Sequence, residues 1–121
     1  MNSLVAVFIG GGLGSVFRYL LSLQIKNLNW IELPIATLGA NILSTLILGL
    51  VALTLKPTMT SQWPILLLTV GFCGGFSTFS TFSLETFQLL KNGQLAWAAA
   101  NVVFSILACL SILFFLSKTI K

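Results

Sequence analysis

The residues best suited to chemistry lie together in one short stretch of an otherwise apolar chain, "GFCGGFSTFSTFS" at residues 71–83. This stretch holds three glycines and five hydroxyl side chains. Each glycine destabilises a helix by about 1 kcal/mol relative to alanine. The hydroxyls can form hydrogen bonds with nearby backbone groups and so replace the hydrogen bonds of the helix. The stretch is therefore predicted to interrupt a helix near residues 73–78.

An interruption of this kind can provide ion-binding groups. Carbonyls freed at the break can bind a cation, and the N-terminus of the helix that follows favours an anion. Phe79 and Phe82 are three residues apart and share a face of that helix. The edges of their rings carry partial positive charge and can attract a small anion, although aromatic pairs at this spacing are more often core packing.

Two other segments carry polar stripes at helical spacing. Each stripe places its side chains on one face of a helix. Hydrogen bonding between helices would explain a single stripe, but two stripes beside an interrupted helix favour a binding or permeation path. The stripes are Thr37, Asn41 and Ser44 in one segment, and Asn101, Ser105 and Cys109 in the other.

The composition places these segments in a lipid bilayer. The chain is 57% hydrophobic and only 7% charged, and four segments approach or exceed the roughly 20 apolar residues that a membrane-spanning helix needs. We expect an all-α membrane protein with a single transmembrane domain over residues 1–121, in which the third of four spans is broken. The first span should be retained, because no basic residue precedes it and no small-residue cleavage site follows it. The predicted spans are residues 4–23, 33–55, 63–90 and 95–116.

The first span contains small residues and one arginine. Gly10 and Gly14 are four residues apart, a spacing that lets a second helix approach closely. Arg18 continues the same face. It is either a functional charge inside the protein or a side chain that reaches the membrane interface, and the sequence leaves both alternatives open.

The composition also excludes several classes of function. The sequence contains no Asp or His, its only acids are Glu32 and Glu85, and Cys73 and Cys109 are not at metal-ligand spacing. Metal-assisted hydrolysis, catalytic triads and paired-carboxylate chemistry lack their residues, so we expect no enzyme. The net charge of +4 comes from basic residues scattered singly, which argues against binding to nucleic acid.

The basic residues are almost evenly divided between the two sides of the predicted spans. Such a balance gives little orientation bias and predicts insertion in both directions, which makes an antiparallel homodimer possible. Self-association is also favoured because four helices can barely enclose a solvated path, and intramembrane polar groups must face protein or water. One side has Lys56, Lys118 and Lys121, and the other has Lys26, Lys91 and, if it reaches the interface, Arg18.

Two alternatives to a channel are compatible with four short spans. A small multidrug exporter would need a carboxylate within the membrane, yet the first span has no acid and Glu85 is the only candidate. A structural membrane subunit would explain the glycine spacing of the first span, but it gives the two polar stripes no purpose.

Three motifs carry a resemblance to a known family. They are "GGGLGSVFRY" in the first span, "TLGAN" in the second and "GFCGGFSTFSTFSLE" in the third. Over essentially its whole length, the chain resembles the Fluc/CrcB family of small fluoride channels. The third motif is the most specific, because its glycine pair, hydroxyl run, two phenylalanines and glutamate all occur in register.

The resemblance implies an antiparallel, dual-topology homodimer with two pores in a bacterial inner membrane. It would conduct fluoride passively, with selectivity over chloride, and so protect the cell from fluoride. Many members have tyrosine at the position of Asn101 and serine or glycine at that of Cys109. This chain therefore departs from the family pattern on the fourth-span side of the pore.

The resemblance also implies site residues. Asn41, Phe79 and Phe82 would line the pore, and Ser80 and Thr81 would form a hydroxyl track beside the rings. Hydrogen-bond donors must replace the tightly held water of fluoride, and Ser105 adds one from the fourth span. The remaining assignments are a structural sodium ion on the backbone carbonyls of Gly74 and Ser77 from both subunits, and Arg18 as the arginine of the first span.

Overall fold

The computed structural model describes residues 2–27, 34–55 and 62–120. Within these ranges the regular structure is entirely helical and contains no strand. Four helices are long and apolar enough to cross a membrane, and they confirm the expected all-helical membrane architecture. They are Ser3–Asn27, Ile35–Thr54, Trp63–Lys91 and Leu95–Thr119.

Helices α1 (Ser3–Asn27) and α2 (Ile35–Thr54) form the first two spans. The side-chain oxygen of Asn2 accepts a hydrogen bond from the Leu4 N–H at 3.0 Å, which caps the start of α1. Helix α1 continues four residues beyond the predicted end at residue 23. The predicted start of the second span, residue 33, lies outside the described residues.

The third span is assembled from several helical pieces. Helix α3 (Trp63–Leu66) leads into a π-helical segment (Leu67–Cys73), a short helix α4 (Gly74–Phe76) and then α5 (Phe79–Lys91). Two residues with extended backbone separate α4 from α5: Ser77, with φ −80° and ψ 157°, and Thr78, with φ −154° and ψ 123°. Both lie within the range 73–78, where the sequence predicts an interruption.

A tight turn joins the third span to helix α6 (Leu95–Thr119). Gly93 has a φ of 75°, a left-handed conformation that glycine adopts without steric cost. The Gly93 N–H donates to the Leu90 carbonyl, and the Gln94 N–H donates to the Leu89 carbonyl. These two hydrogen bonds satisfy carbonyls in the last turn of α5 and end that helix. Helix α6 begins two residues after Gly93.

Helix α1 packs against the third span backbone to backbone. A Cβ atom added at Gly10 would collide with the Leu67 carbonyl oxygen and lie 3.0 Å from the Cα of Gly71. One added at Gly14 would collide with the Phe72 carbonyl oxygen. The predicted close approach at the Gly10 and Gly14 spacing is confirmed, and its partner is the π-helical segment.

Helix α2 packs between α6 and the third span, and its polar stripe faces the latter. Ser44 is buried and donates its hydroxyl to the Cys73 carbonyl at 3.0 Å. Most large apolar side chains on the four helices are exposed, as expected for helices that lie against lipid. The few buried residues therefore mark the contacts between helices, and the polar ones cluster around the third span.

Candidate functional site

The site is built around Thr78, at the point where α5 begins. Its side-chain oxygen accepts a hydrogen bond from the Thr81 N–H at 3.2 Å, which caps the helix. Its own backbone N–H donates to the side-chain oxygen of Asn41 at 2.9 Å. Residue 41 of α2 therefore fixes the position from which the ring-bearing helix α5 starts.

This contact orients the Asn41 amide. Because a backbone N–H can only donate, the atom of Asn41 that faces Thr78 is the oxygen, and the nitrogen points elsewhere with two N–H donors. Within residues 2–27, 34–55 and 62–120, that nitrogen donates to no protein group. Asn41 thus combines a structural acceptor with a free donor.

A cavity of about 320 Å³ lies beside Asn41, between α2, α5 and α6. We call it the neutral cavity, because no charged side chain lines it. It brings together Asn41, Phe79, Phe82 and Ser105, which the sequence predicts as pore residues, and it includes the predicted sodium ligand Ser77. The other lining residues are Thr45, Thr78, Ile106 and Cys109.

Ser105 and Cys109 of α6 line this cavity one helical turn apart. Ser105 is only 7% exposed, and its hydroxyl oxygen has no hydrogen-bond partner in the described part of the chain. Cys109 is partly exposed, and its sulfur lies 3.9 Å from the backbone carbonyl oxygen of Asn41. A buried hydroxyl without a partner is costly, so Ser105 marks a place where a water molecule or an anion would be stabilised.

The two phenylalanine rings form the third side of the cavity. Their centroids are 5.9 Å apart, and the ring planes are inclined by 37°. Phe82 is half-buried, whereas Phe79 is 81% exposed. The predicted pair therefore exists as a contact, with one ring inside the packed helices and the other at their surface.

A second cavity, of about 260 Å³, lies on the other side of α5, and we call it the charged cavity. The Thr37 hydroxyl donates to one carboxylate oxygen of Glu85 at 2.8 Å, and the other oxygen is buried without a partner among the described residues. The acidic and the basic side chain near the third span, Glu85 and Arg18, both line this cavity, and neither lines the neutral cavity. It is lined by Ser15, Arg18, Tyr19, Ser22, Ala36, Thr37, Thr81 and Glu85.

The interruption leaves two glycine carbonyls without their usual helical donors. In a continuous α-helix the N–H of Thr78 would donate to Gly74 and that of Phe79 to Gly75. The Thr78 N–H donates to Asn41 instead, and the Gly75 carbonyl accepts a hydrogen bond from Arg18 Nε at 3.1 Å. Of the two alternatives for Arg18, the structure shows the inward contact, which satisfies one freed carbonyl.

Comparison with known proteins assigns the chain to a family. The family model described as "CrcB-like protein, Camphor Resistance (CrcB)" matches residues 5–116. A Serratia proteamaculans protein named "Fluoride-specific ion channel FluC" is 46% identical over 108 residues, which are 88% of this chain and 84% of that protein. The chain belongs to the CrcB family. Similar proteins include "Fluoride-specific ion channel FluC 1" of Yersinia pestis, 45% identical over 91% of this chain and 87% of its own length, and "Fluoride-specific ion channel FluC" of Escherichia coli O17:K52:H18, 45% identical over 88% and 84%.

Some predicted site residues of this CrcB chain lie apart from the neutral cavity. Thr81 and Thr37 line the charged cavity. Ser80 is exposed and lines neither cavity, although its hydroxyl is 3.3 Å from that of Thr78. Gly74 is exposed, and an added Cβ there would meet nothing within 4 Å. Neither member of the predicted hydroxyl track, Ser80 or Thr81, therefore lines the neutral cavity.

The CrcB chain also has site residues that the sequence reasoning missed. Thr45 lines the neutral cavity, but its hydroxyl is bonded to the Asn41 carbonyl at 2.7 Å. Because Thr45 follows Asn41 by four residues, helical periodicity could have placed it on the same face as Asn41. Asn101 of the second stripe donates to the Thr86 hydroxyl at 3.0 Å, and it is absent from the neutral-cavity lining.

Proposed function

We propose that this chain is a passive, fluoride-selective ion channel of a bacterial inner membrane. The observation that carries the proposal is the set of bacterial relatives, 45 to 46% identical over most of both chains, that are named fluoride-specific ion channels. The four apolar helices supply the multi-pass membrane body. Passive exit of fluoride down its gradient would protect the cell from fluoride toxicity.

The neutral cavity supplies the chemistry that fluoride transfer needs. A permeation path must replace the water around the ion with protein hydrogen-bond donors. The Asn41 amide nitrogen and the Ser105 hydroxyl are such donors, and neither is used by the described part of the protein. Asn41 and Ser105 line the same cavity of about 320 Å³, so one small anion could contact both residues on its way through.

The described residues that line the neutral cavity carry no fixed charge. This favours a site that lets an ion pass over a site that holds the ion tightly. An ion must be held strongly enough to enter and weakly enough to leave. Neutral donors and the ring edges of Phe79 and Phe82 provide such weak sites. Arg18, which would hold an anion more firmly, lines the charged cavity and is bonded to Gly75.

The alternatives receive less support. A proton-coupled exporter would need a carboxylate in its path, and Glu85 lies outside the neutral cavity with one oxygen bonded to Thr37. A structural subunit would need no unpaired donors, and the relatives are named as channels. The family assignment also places the chain among ion channels and not among enzymes.

Flux from liposomes tests the proposal. Purified protein is reconstituted with internal fluoride or chloride, and release is followed with ion-selective electrodes after the membrane potential is dissipated with a potassium ionophore. We expect rapid release of fluoride and retention of chloride. Equal release of the two ions, or no release of fluoride, would contradict the channel.

We propose further that the working unit is an antiparallel homodimer with two pores. Gly74, Ser80 and Ser83 are exposed in the middle of the third span, where polar groups should face protein or water and not lipid. A second copy of the chain would cover them. The nearly even division of basic residues between the two sides supports opposite orientations of the two copies.

Labelling from both sides of the membrane tests the orientation. In a background without native cysteines, Lys121→Cys is treated with an impermeant maleimide in intact cells and then, after permeabilisation, with a second maleimide. Dual insertion should place about half of the residue on each side, as balanced flanking charge predicts. Labelling from one side alone would refute it.

A structural sodium ion fits the interruption of the third span. Sodium prefers backbone oxygens at broken helices, and the Gly74 carbonyl has lost the Thr78 donor to Asn41. The extended conformation of Ser77 turns its carbonyl away from the helical pattern, so Gly74 and Ser77 would hold the ion together with their counterparts in a second copy. The ion would fix the break where the two copies meet.

The requirement for sodium can be tested by replacing it during preparation. Protein purified and reconstituted with N-methylglucamine as the only small cation should lose fluoride release and regain it when sodium is added to both sides. Full release without any exposure to sodium would remove the ion from the proposal.

A further inference from the structure

Cys109 lines the neutral cavity together with Asn41 and Ser105, whose side-chain donors have no partner among the described residues. Its sulfur is 3.9 Å from the Asn41 carbonyl oxygen, and it follows Ser105 by one helical turn. The buried Ser105 hydroxyl, 7% exposed and without a partner among the described residues, lines the same cavity. A small molecule that enters the cavity would therefore gain hydrogen bonds, and the Cys109 thiol lines the same cavity.

The other cysteine provides the contrast. Cys73 is 3% exposed and does not line the neutral cavity. Cys109 is half-buried and lines the cavity, whose volume of about 320 Å³ far exceeds the roughly 10–15 Å³ that a cavity needs to hold one water molecule. Buried structural cysteines are inert, whereas accessible thiols react as thiolates. The two thiols should therefore differ in their access to a small reagent.

We propose that Cys109 is a modification site at which a small, uncharged, sulfur-transferring electrophile attaches and reduces fluoride conduction. The adduct would occupy the space between the Asn41 amide and the Ser105 hydroxyl. An anion crossing the cavity would then lose contact with at least one of these donors. The site makes conduction sensitive to electrophilic or oxidised sulfur compounds through a residue of this chain.

Methyl methanethiosulfonate is a suitable probe because it is uncharged, small and able to enter the membrane. The Cys109 thiol loses its proton to water, and the thiolate attacks the methylthio sulfur of the reagent. One S–S bond forms between Cys109 and the methylthio group while the S–S bond of the reagent breaks. The electron pair leaves with methanesulfinate, and dithiothreitol reverses the modification by thiol exchange.

The test combines mass spectrometry with flux in the same proteoliposomes. Wild-type protein, Cys109→Ser and Cys73→Ala are each compared with their own untreated samples. We expect one methylthio group on Cys109 in wild type and Cys73→Ala, and a fall in fluoride release of at least about tenfold, as loss of one donor contact would cause. Dithiothreitol should restore release, and Cys109→Ser should show neither the adduct nor the fall.

The outcomes separate this proposal from the proposed function, on which its flux component rests. If untreated protein releases no fluoride, the channel proposal fails, while the adduct on Cys109 still reports whether the site exists. No adduct on Cys109, or preferential modification of Cys73, would overturn the site. An adduct on Cys109 that leaves fluoride release unchanged would overturn its effect on conduction.

Discussion

The third span has two faces that differ in almost every respect. Toward α1 it presents glycines, and the backbones touch so closely that a methyl group at Gly10 or Gly14 would collide with a carbonyl oxygen. Toward α2 and α6 it borders a cavity of about 320 Å³, lined by Asn41 and by Ser105, whose hydroxyl has no partner among the described residues. The difference shows how one interrupted segment can be held rigidly on one side while its other side stays free for an ion.

The packed face makes the open face possible. Unpaired polar groups and freed carbonyls are costly within a membrane, and they persist only where the surrounding structure is rigid enough to hold them. Arg18 satisfies the Gly75 carbonyl freed at the interruption, and Ser44 adds a hydrogen bond to the Cys73 carbonyl, which also accepts from the Ser77 N–H. If this division is correct, substitutions on the open face should reduce conduction, and substitutions on the packed face should reduce stability.

The largest effect is expected on the open face, for Asn41→Asp. The substitution has nearly the same shape and keeps an oxygen for the Thr78 N–H, but it removes the amide donors and adds negative charge. Fluoride release should fall by at least about 100-fold, because a charge that repels the ion replaces a donor that binds it. Release is measured with the electrode assay, and elution of the variant as a folded species is checked by gel filtration.

Thr45→Val is the matched control for Asn41→Asp. Thr45 lines the same cavity, but its hydroxyl is already bonded to the Asn41 carbonyl. Removal of a donor that is not free should change fluoride release by less than about threefold, a net contribution within the range of one ordinary hydrogen bond. A loss in Thr45→Val as large as that in Asn41→Asp would show that cavity shape, and not the free amide, controls conduction.

On the packed face, Gly10→Ala should chiefly affect stability. The new methyl would meet the Leu67 carbonyl oxygen and the Phe72 nitrogen, and backbone atoms cannot turn aside as a side chain can. We expect a loss of about 1–3 kcal/mol, typical of an overpacked contact, seen as a lower midpoint of thermal unfolding in detergent. Equal unfolding midpoints for Gly10→Ala and wild type would contradict the tight contact.

Gly12→Ala is the control on the same helix, because nothing lies within 4 Å of a Cβ added there. Alanine favours the helix over glycine by up to about 1 kcal/mol, so this variant should unfold at the same temperature or higher. The two substitutions are chemically identical and two residues apart, and they therefore isolate the contact with the third span.

A smaller effect, with opposite consequences for conduction and stability, is expected for Ser105→Ala. The buried hydroxyl has no partner among the described residues, so its removal should leave stability unchanged or slightly raised. Fluoride release should fall about tenfold, the equivalent of one lost hydrogen bond to an anion. A destabilised Ser105→Ala protein would indicate that the hydroxyl is structural.

Ser117→Ala serves as the control for Ser105→Ala. Ser117 lies on the same helix, is exposed, and donates to its own turn at the Phe114 carbonyl. Neither fluoride release nor stability should change measurably. Loss of release in Ser117→Ala would show that conduction responds to any polar deletion on α6, which would remove the special role of the neutral cavity.

The sequence predicted the helices well because hydropathy alone determines where a chain can cross a bilayer. The predicted third span, 63–90, agrees with Trp63–Lys91, and the fourth differs from Leu95–Thr119 only at its C-terminal end. The sequence did not predict the π-helical segment, which lies in close contact with Gly10 and Gly14 of α1. The spacing of Gly10 and Gly14 predicted a close contact with another helix, but not that this part of the third span would be π-helical.

Helix geometry explains which of the predicted site residues lie together in the structure. Asn41, Phe79, Phe82 and Ser105 come together because each lies on a face that helical periodicity identifies. The family resemblance implies that Thr81 belongs with them, in a hydroxyl track beside the rings. It is two residues from Phe79, close to the opposite side of a helix with 3.6 residues per turn, and it lines the charged cavity instead.

The smallest effect is expected at the charged cavity, for Thr37→Val. Thr37 is 6% exposed, and its hydroxyl donates to Glu85, whose other oxygen has no partner in the described ranges. Valine removes this bond at almost constant volume, and stability should fall by about 1 kcal/mol in the same unfolding assay. Thr37→Ser keeps the hydroxyl and should retain most of that stability.

Conduction in Thr37→Val then tests whether the two cavities are separate. Because the Thr37–Glu85 contact lies outside the neutral cavity, fluoride release should stay within about threefold of wild type, less than the contribution of one hydrogen bond to the ion. If Thr37→Val instead lost release as completely as Asn41→Asp while remaining folded, the charged cavity would belong to the ion path. The division of α5 into a conducting side and a supporting side would then be wrong, because fluoride would contact both.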